Sequence, residues 1–164
     1  MEQLVEILKK VIEKYPNIKL EIEENKIRLR FYIKDILYKV LEVTQNKDKL
    51  QVSILDDNIT KITDLSELEE LILILYKQSN AKEYTKEEVE QIKQQYMAGT
   101  KIELIKMYDL QAPPAGTKGF IDFVDDIGTI HMKWENGSTL GLVVGTDEFK
   151  IICPLCNQEL SMKV

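Results

Sequence analysis

Between Ile18 and Ile33 the spacing of apolar residues switches to a strict period of two, which limits what the first half of the chain can become. Ile18, Leu20 and Ile22 alternate with Lys19, Glu21 and Glu23. Beyond Glu24-Asn25, Ile27, Leu29, Phe31 and Ile33 alternate with Lys26, Arg28, Arg30 and Tyr32. Successive side chains of a strand point to opposite faces, so each segment gains one apolar and one charged face. A two-residue turn at Glu24-Asn25 predicts a register with Ile22 opposite Ile27, Leu20 opposite Leu29 and Ile18 opposite Phe31. The same register sets Glu23 against Lys26 and Glu21 against Arg28. A slip of one residue would destroy both sets of pairs.

Helical spacing flanks this hairpin. Leu4, Leu8, Val11, Ile12 and Tyr15 recur on one face of a helix ended by Pro16. Tyr38–Thr44 and Leu50–Leu55 read as a second pair of strands, joined by the polar stretch Gln45–Lys49. Asp64-Leu65-Ser66-Glu67 then carries capping chemistry for a helix through about Gln78, with Leu65, Leu68, Leu71, Ile72 and Leu75 as its buried stripe. The expectation for residues 1–80 is an α-β-β-β-β-α domain, an antiparallel sheet with helices against one face. This half has no histidine, no cysteine and no glycine-rich loop, and Glu21, Glu23 and Glu24 sit where solvent-face charges belong. Catalysis is not expected here.

Gln78–Lys82 is polar and unpatterned, and marks a boundary. Thr85 stands three residues before Glu88, the spacing of a capping box, and opens a charged helix to about Tyr96 with Val89, Ile92 and Tyr96 on one face. This linker helix, within residues 81–98, is either a spacer or packs on one of the domains. From Gly99 the chain becomes short strands between turns: Ile102–Met107, Phe120–Val124, Thr129–Trp134, Thr139–Val143 and Phe149–Ile152. A long loop with Pro113-Pro114 and Gly116–Gly119 follows the first, Asp125–Gly128 turns after the second, and Asn136-Gly137 is a hairpin signal. Five short strands suit a small SH3-like β-barrel over 99–152, which leaves 153–164 as a tail. The fold class expected for the whole is α+β.

Residues 85–152 also carry specific motifs: Gly99-Thr100, Met107 to Asp109, Ala112-Pro113-Pro114, Gly116-Thr117-Lys118-Gly119, Val124 to Gly128, Trp134 to Leu140, and Asp147. With the helix from Thr85, they resemble the domain of unknown function 4314 of phages and mobile elements of Gram-positive bacteria. The segment departs from that pattern at Tyr96-Met97-Ala98-Gly99, where a proline is frequent. The resemblance implies a mobile-element setting and no known activity. The first 80 residues resemble no family.

Charge narrows the choice of partner. The net charge is −6, with 16 basic and 19 acidic residues over 1–95 and 6 and 9 over 96–164. No basic stripe stands out, so the usual footprint of a nucleic-acid binder is missing. The longest uncharged apolar run, Leu71–Tyr76, is too short to span a membrane, and Met1-Glu2-Gln3 does not open a secretory signal. The expected location is cytoplasmic.

Ligands of SH3-like barrels commonly lie over exposed aromatics between the long first loop and the next turn, which makes Tyr108, Asp109, Asp125, Asp126 and Trp134 candidate partner-binding residues. On the opposing reading Trp134 and Tyr108 fill the core and the aspartates cap turns. Asp125-Asp126 alone is no metal site, because two adjacent carboxylates make no coordination sphere. His131, the single histidine, shares a strand face with Thr129 and Lys133, and is read as an exposed, chemically idle imidazole.

Ile152-Cys153-Pro154-Leu155-Cys156-Asn157 resembles one knuckle of a zinc ribbon. Cys153 and Cys156 are candidate ligands of a structural zinc, and Asn157 suits a left-handed turn residue. Only half of a four-ligand set is present. The rest would come from a second chain, giving a homodimer, or from His131 and a carboxylate; unliganded thiols are the other reading. A redox pair lacks the surrounding βαβ unit.

Together these features predict a non-enzymatic phage or mobile-element protein that binds another protein, with inhibition of a host defence system as one use. The alternative is a nucleic-acid-binding accessory protein with a zinc knuckle.

Overall fold

The register expected around Glu24-Asn25 is the register observed. In the computed structural model, which describes residues 2–46, 49–55, 59–153, 155–156 and 158–160, β1 (Ile18–Glu23) and β2 (Lys26–Ile33) pair antiparallel. Ile22 faces Ile27, Leu20 faces Leu29, Ile18 faces Phe31, Glu23 faces Lys26 and Glu21 faces Arg28. The ion pairs run diagonally to those backbone partners. Arg28 bonds Glu23 and, at 3.0 Å, Glu42, while Lys26 reaches Glu42 at 3.3 Å. The reason is β3 (Ile36–Asn46), which sets Glu42 directly beside Arg28 and draws the cations toward the middle of the sheet.

β4 (Lys49–Ile54) pairs with β3, and the four expected strands are joined by a fifth, β5 (Ile59–Thr63). The sheet order is β1-β2-β3-β4-β5, each strand beside its chain neighbour. β5 is five residues long and runs almost directly into a helix cap, too short to display a period of its own. The turn from β2 to β3 has positive φ at Lys34 (47°) and Asp35 (66°). That conformation matches the twist of the strands but carries a steric cost for residues other than glycine.

The helices cover one face of this sheet. α1 (Glu2–Ile12) buries Leu4, Val5 and Leu8, and ends before Pro16 in a turn that packs Tyr15 on Tyr76, with 4.5 Å between ring centroids. α2 (Leu65–Ser79) starts at Asp64, whose carboxylate accepts from Glu67 N, and buries Leu68, Ile72 and Leu75. These side chains meet Ile27, Leu29, Phe31, Leu41, Val43, Val52 and Ile54 in one core. Each fully buried side chain of this size contributes about 1.5–3 kcal/mol.

The chain divides into two compact units, Met1–Asn80 and Ala81–Val164. In the second, α3 (Lys86–Gln95) starts at Thr85 with both bonds of the capping box formed. The helix is no detached spacer within its unit: Ile92 and Tyr96 join the core of the second sheet. That sheet consists of β6 (Lys101–Lys106), β7 (Lys118–Val124), β8 (Thr129–Trp134), β9 (Leu142–Val143) and β10 (Glu148–Ile151), in the order β10-β6-β7-β8-β9. The architecture is mixed α+β, with three helices and two antiparallel sheets among the described residues.

The pairing does not close into a barrel. β9 and β10 stand at opposite edges of the sheet order, connected by Val144–Asp147 with one isolated bridge between those two residues. The expected return strand Thr139–Val143 shrinks to Leu142–Val143 for a local reason. The Asn136-Gly137 turn forms, but Trp134 Nε1 donates to Leu140 O at 2.8 Å and Leu140 N donates to Ser138 Oγ. Backbone groups that a ladder would use are thus turned toward side chains.

Candidate functional site

The outer face of the second sheet is built by β6, β7 and β8. Alternation along β7 would send Phe120 and Asp122 outward and Ile121 and Phe123 inward. The ladder against β8 instead shifts register between Ile121 and Phe123, leaving Asp122 as an extra residue. The shift turns Phe123 outward, 51% exposed, to the strand face that also carries Phe120, 40% exposed. His131, opposite Phe123 on β8, lies parallel to its ring with 4.3 Å between centroids.

The imidazole of His131 is partly exposed and hydrogen-bonded. Its Nε2 stands 3.0 Å from Asp125 Oδ2, while Asp125 Oδ1 accepts from Ile127 N at 3.0 Å and Thr129 N at 2.8 Å. Partial burial pushes the Asp125 carboxyl up, but the bond from His131 and the two backbone N–H groups outweigh it and hold the group below its ordinary value. Aspartate therefore caps the turn, as the structural reading of the sequence had it, and at the same time orients the ring beside Phe123.

Charges frame the aromatic pair and largely cancel. Lys133 bonds Asp122, Lys101 meets Glu135 at 3.3 Å, and Glu103 takes Lys150 at 2.8 Å with Lys118 at 3.9 Å. The Glu103 carboxyl is lowered by its bond from Lys150. The surface offers aromatic area within a neutralised polar rim.

Of the five sequence candidates, the structure gathers no single cluster. Trp134 is a core residue, 4% exposed, so its ring is withdrawn from any surface. Gly119 makes room for it: a Cβ there would stand 2.9 Å from Trp134 Cε3. Tyr108 is half-buried just beyond β6, at the start of the long loop, and its N–H donates to Asp147 Oδ1 at 3.0 Å. Asp109 caps its own loop through Gln111 N at 2.7 Å. Asp126 is exposed at the turn and bonds Lys93 of α3 at 3.0 Å.

Sequence reasoning missed Phe120 and Phe123, and singled out Asp147 only as part of the family motifs, without a role. The two phenylalanines depend on a bulge that no spacing announces. Asp147 accepts from Tyr108 N and, through Oδ2, from Val143 N at 2.8 Å, so one carboxylate ties the long loop to β9. Burial raises its carboxyl above the ordinary value, and the charge of Asp109 adds to this. Tyr84 was missed too; its hydroxyl donates to Val144 O and its ring covers Gly128.

Cys153 is half-buried and Cys156 exposed, both as free thiols. The backbone N–H groups of Cys156 and Leu155 and the Cys156 thiol hold the Cys153 thiol below its ordinary value. Asn157 lies outside the described residues. No group of three or more His, Cys, Asp or Glu side chains suited to a metal ion exists among the described residues. No described helix is long and apolar enough to cross a membrane.

The stretch from the Thr85 cap through β10 is thus packed around one core, with α3 bonded to the turn at Asp126 and Asp147 bonded to Tyr108 and Val143. Residues 85–152 match the family model Domain of unknown function (DUF4314). The DUF4314 segment begins at the capping threonine and ends one residue beyond β10, so its limits are those of the packed helix and sheet. The part before it matches no family model. No curated protein matches the chain. Within the DUF4314 segment, the exposed Phe120–Phe123–His131 face is the candidate functional surface.

Proposed function

We propose that this protein acts by binding another protein, without catalysis, through the outer face of β6–β8. The observation that carries the reading is the outward turn of Phe123, with His131 stacked on it, on the face that also exposes Phe120. Large apolar rings left half in water within a ring of paired charges are the composition of a protein-binding hot spot. In this reading the second unit is an SH3-like fold. Its strand order and the long loop between β6 and β7 support that, with the last strand returning beside the first. The setting is a phage or mobile element in the bacterial cytoplasm, and the partner is a host protein, with a defence protein as the use we put forward.

The experiment is affinity capture from Gram-positive bacterial lysate with the wild-type chain and the Phe120→Ala/Phe123→Ala variant, followed by affinity measurement on the recovered partner. Loss of two central aromatics weakens a real hot-spot contact by about tenfold or more. Equal capture by both proteins, or no specific partner, overturns the reading.

A second reading has one observation in its favour. A stacked Phe123–His131 pair near Lys133 is also a platform on which an unpaired base can lie. Against it stand nine acidic to six basic residues over 96–164. Binding to single-stranded DNA or RNA that weakens steeply with salt would favour it.

A further inference from the structure

After β10 the chain turns back on itself. Ile152 and Glu159 form an antiparallel bridge, Cys153 N donates to Gln158 O at 2.8 Å, and Leu160 N donates to Ile151 O at 2.9 Å. Cys153 therefore sits at the base of a closed hairpin loop and Cys156 within it, three residues on. The pairing brings the chain back beside β10 around the two cysteines. A Cys-x-x-Cys spacing at such a turn suits two ligands of one metal ion.

The described residues of one copy bring together only two of the four ligands that such a site needs. Structural zinc takes four, drawn from cysteine and histidine. The sequence has two cysteines and one histidine, and that histidine is engaged by Asp125 and stacked on Phe123. No described carboxylate joins the pair in a group of three. Around the thiols, Leu155 is 93% exposed and Leu160 49%. Apolar side chains so fully in water at a hairpin tip gain by being covered.

We propose that Cys153 and Cys156 are half of a zinc site that a second copy of this chain completes, with four thiolates on one Zn²⁺ and the Leu155 side chains covered at the junction. The balance is simple. Four S–H groups release their protons to solvent as four Zn–S bonds form, and nothing is oxidised or reduced. This site lies on a different element from the aromatic face, and stands or falls apart from the partner reading.

The test uses the full chain, purified in a non-thiol reductant, loaded with zinc and desalted. Zinc is counted by mass spectrometry and molar mass by light scattering. The expected result is about one zinc per two chains and a mass twice that of one chain. Cobalt(II) in place of zinc should give the intense visible absorption of a tetrahedral thiolate site. Cys153→Ser and Cys156→Ser should each lower bound zinc about tenfold or more and yield monomers. Cys156 is exposed, so its variant also keeps the far-UV spectrum and the Trp134 fluorescence of the wild type. Two titratable thiols with no zinc retained, one zinc per monomer, or a dimer that persists in both serine variants would each overturn the proposal.

Discussion

Oδ2 of Asp125 lies 3.0 Å from Nε2 of His131, and Oδ1 of the same carboxylate closes the turn that brings His131 into β8. One side chain thus fixes both the backbone and the ring that it orients. The Asp125 carboxyl titrates below its ordinary value of 3.8 in the folded state. Its contribution is therefore complete above pH 3.8 and is lost as the pH falls through the lowered value. Asp125→Asn keeps the oxygen that accepts from Ile127 and Thr129 but removes the charge. At pH 7 the variant should be less stable by about 1 kcal/mol, and the gap should close below pH 3.8. A gap that stays constant in urea titrations from pH 7 to pH 3 would contradict this account.

Gly119 and Trp134 make the tightest test of the second core. Alanine at 119 meets Trp134 Cε3 at 2.9 Å and Lys133 O at 2.8 Å, and neither the ring nor the backbone is free to retreat. Gly119→Ala should cost about 1–3 kcal/mol. The single tryptophan reports it directly, through a shifted emission maximum and an earlier thermal transition.

The β2–β3 turn predicts a gain rather than a loss. Asp35 has φ 66° with a side chain that makes this conformation costly. Asp35→Gly should raise stability by about 0.5–1 kcal/mol, read as a higher melting temperature by circular dichroism. An unchanged or lower value would mean that the aspartate side chain repays its strain.

At the start of α3, Thr85 Oγ1 accepts from Glu88 N while Glu88 accepts from Thr85 N. Thr85→Ala removes half of this exchange and should cost about 1 kcal/mol. Because Ile92 and Tyr96 of this helix belong to the second core, the loss should appear in Trp134 fluorescence as well as in helix content.

The legible parts of the molecule were those where two independent patterns coincided. At the β1–β2 hairpin, hydrophobic and charge pairing demanded one register, and α3 was announced by Thr85 and Glu88 before any apolar spacing was counted. Phe123 was illegible because a single inserted residue, Asp122, inverts the side of the sheet it faces. Trp134 was ambiguous because an aromatic on a short strand serves core and surface equally well by pattern. Only its Nε1 bond to Leu140 O and the gap over Gly119 decide between them. The truncated β9 follows from the same bond, a local contact that draws Leu140 out of the ladder although the Asn136-Gly137 turn itself forms.

The two sheets also differ in how far the chain must reach to make them. In the first, every strand pairs with its immediate successor, so each hairpin can form on the one before it. In the second, β6 finds its outer partner only in β10, with three strands and the long loop intervening. Loop-closure entropy slows such distant pairings, and low contact order speeds the local ones. By that rule the first unit should fold faster than the second. The edge of β6 stays open to wrong partners until the last strand has arrived.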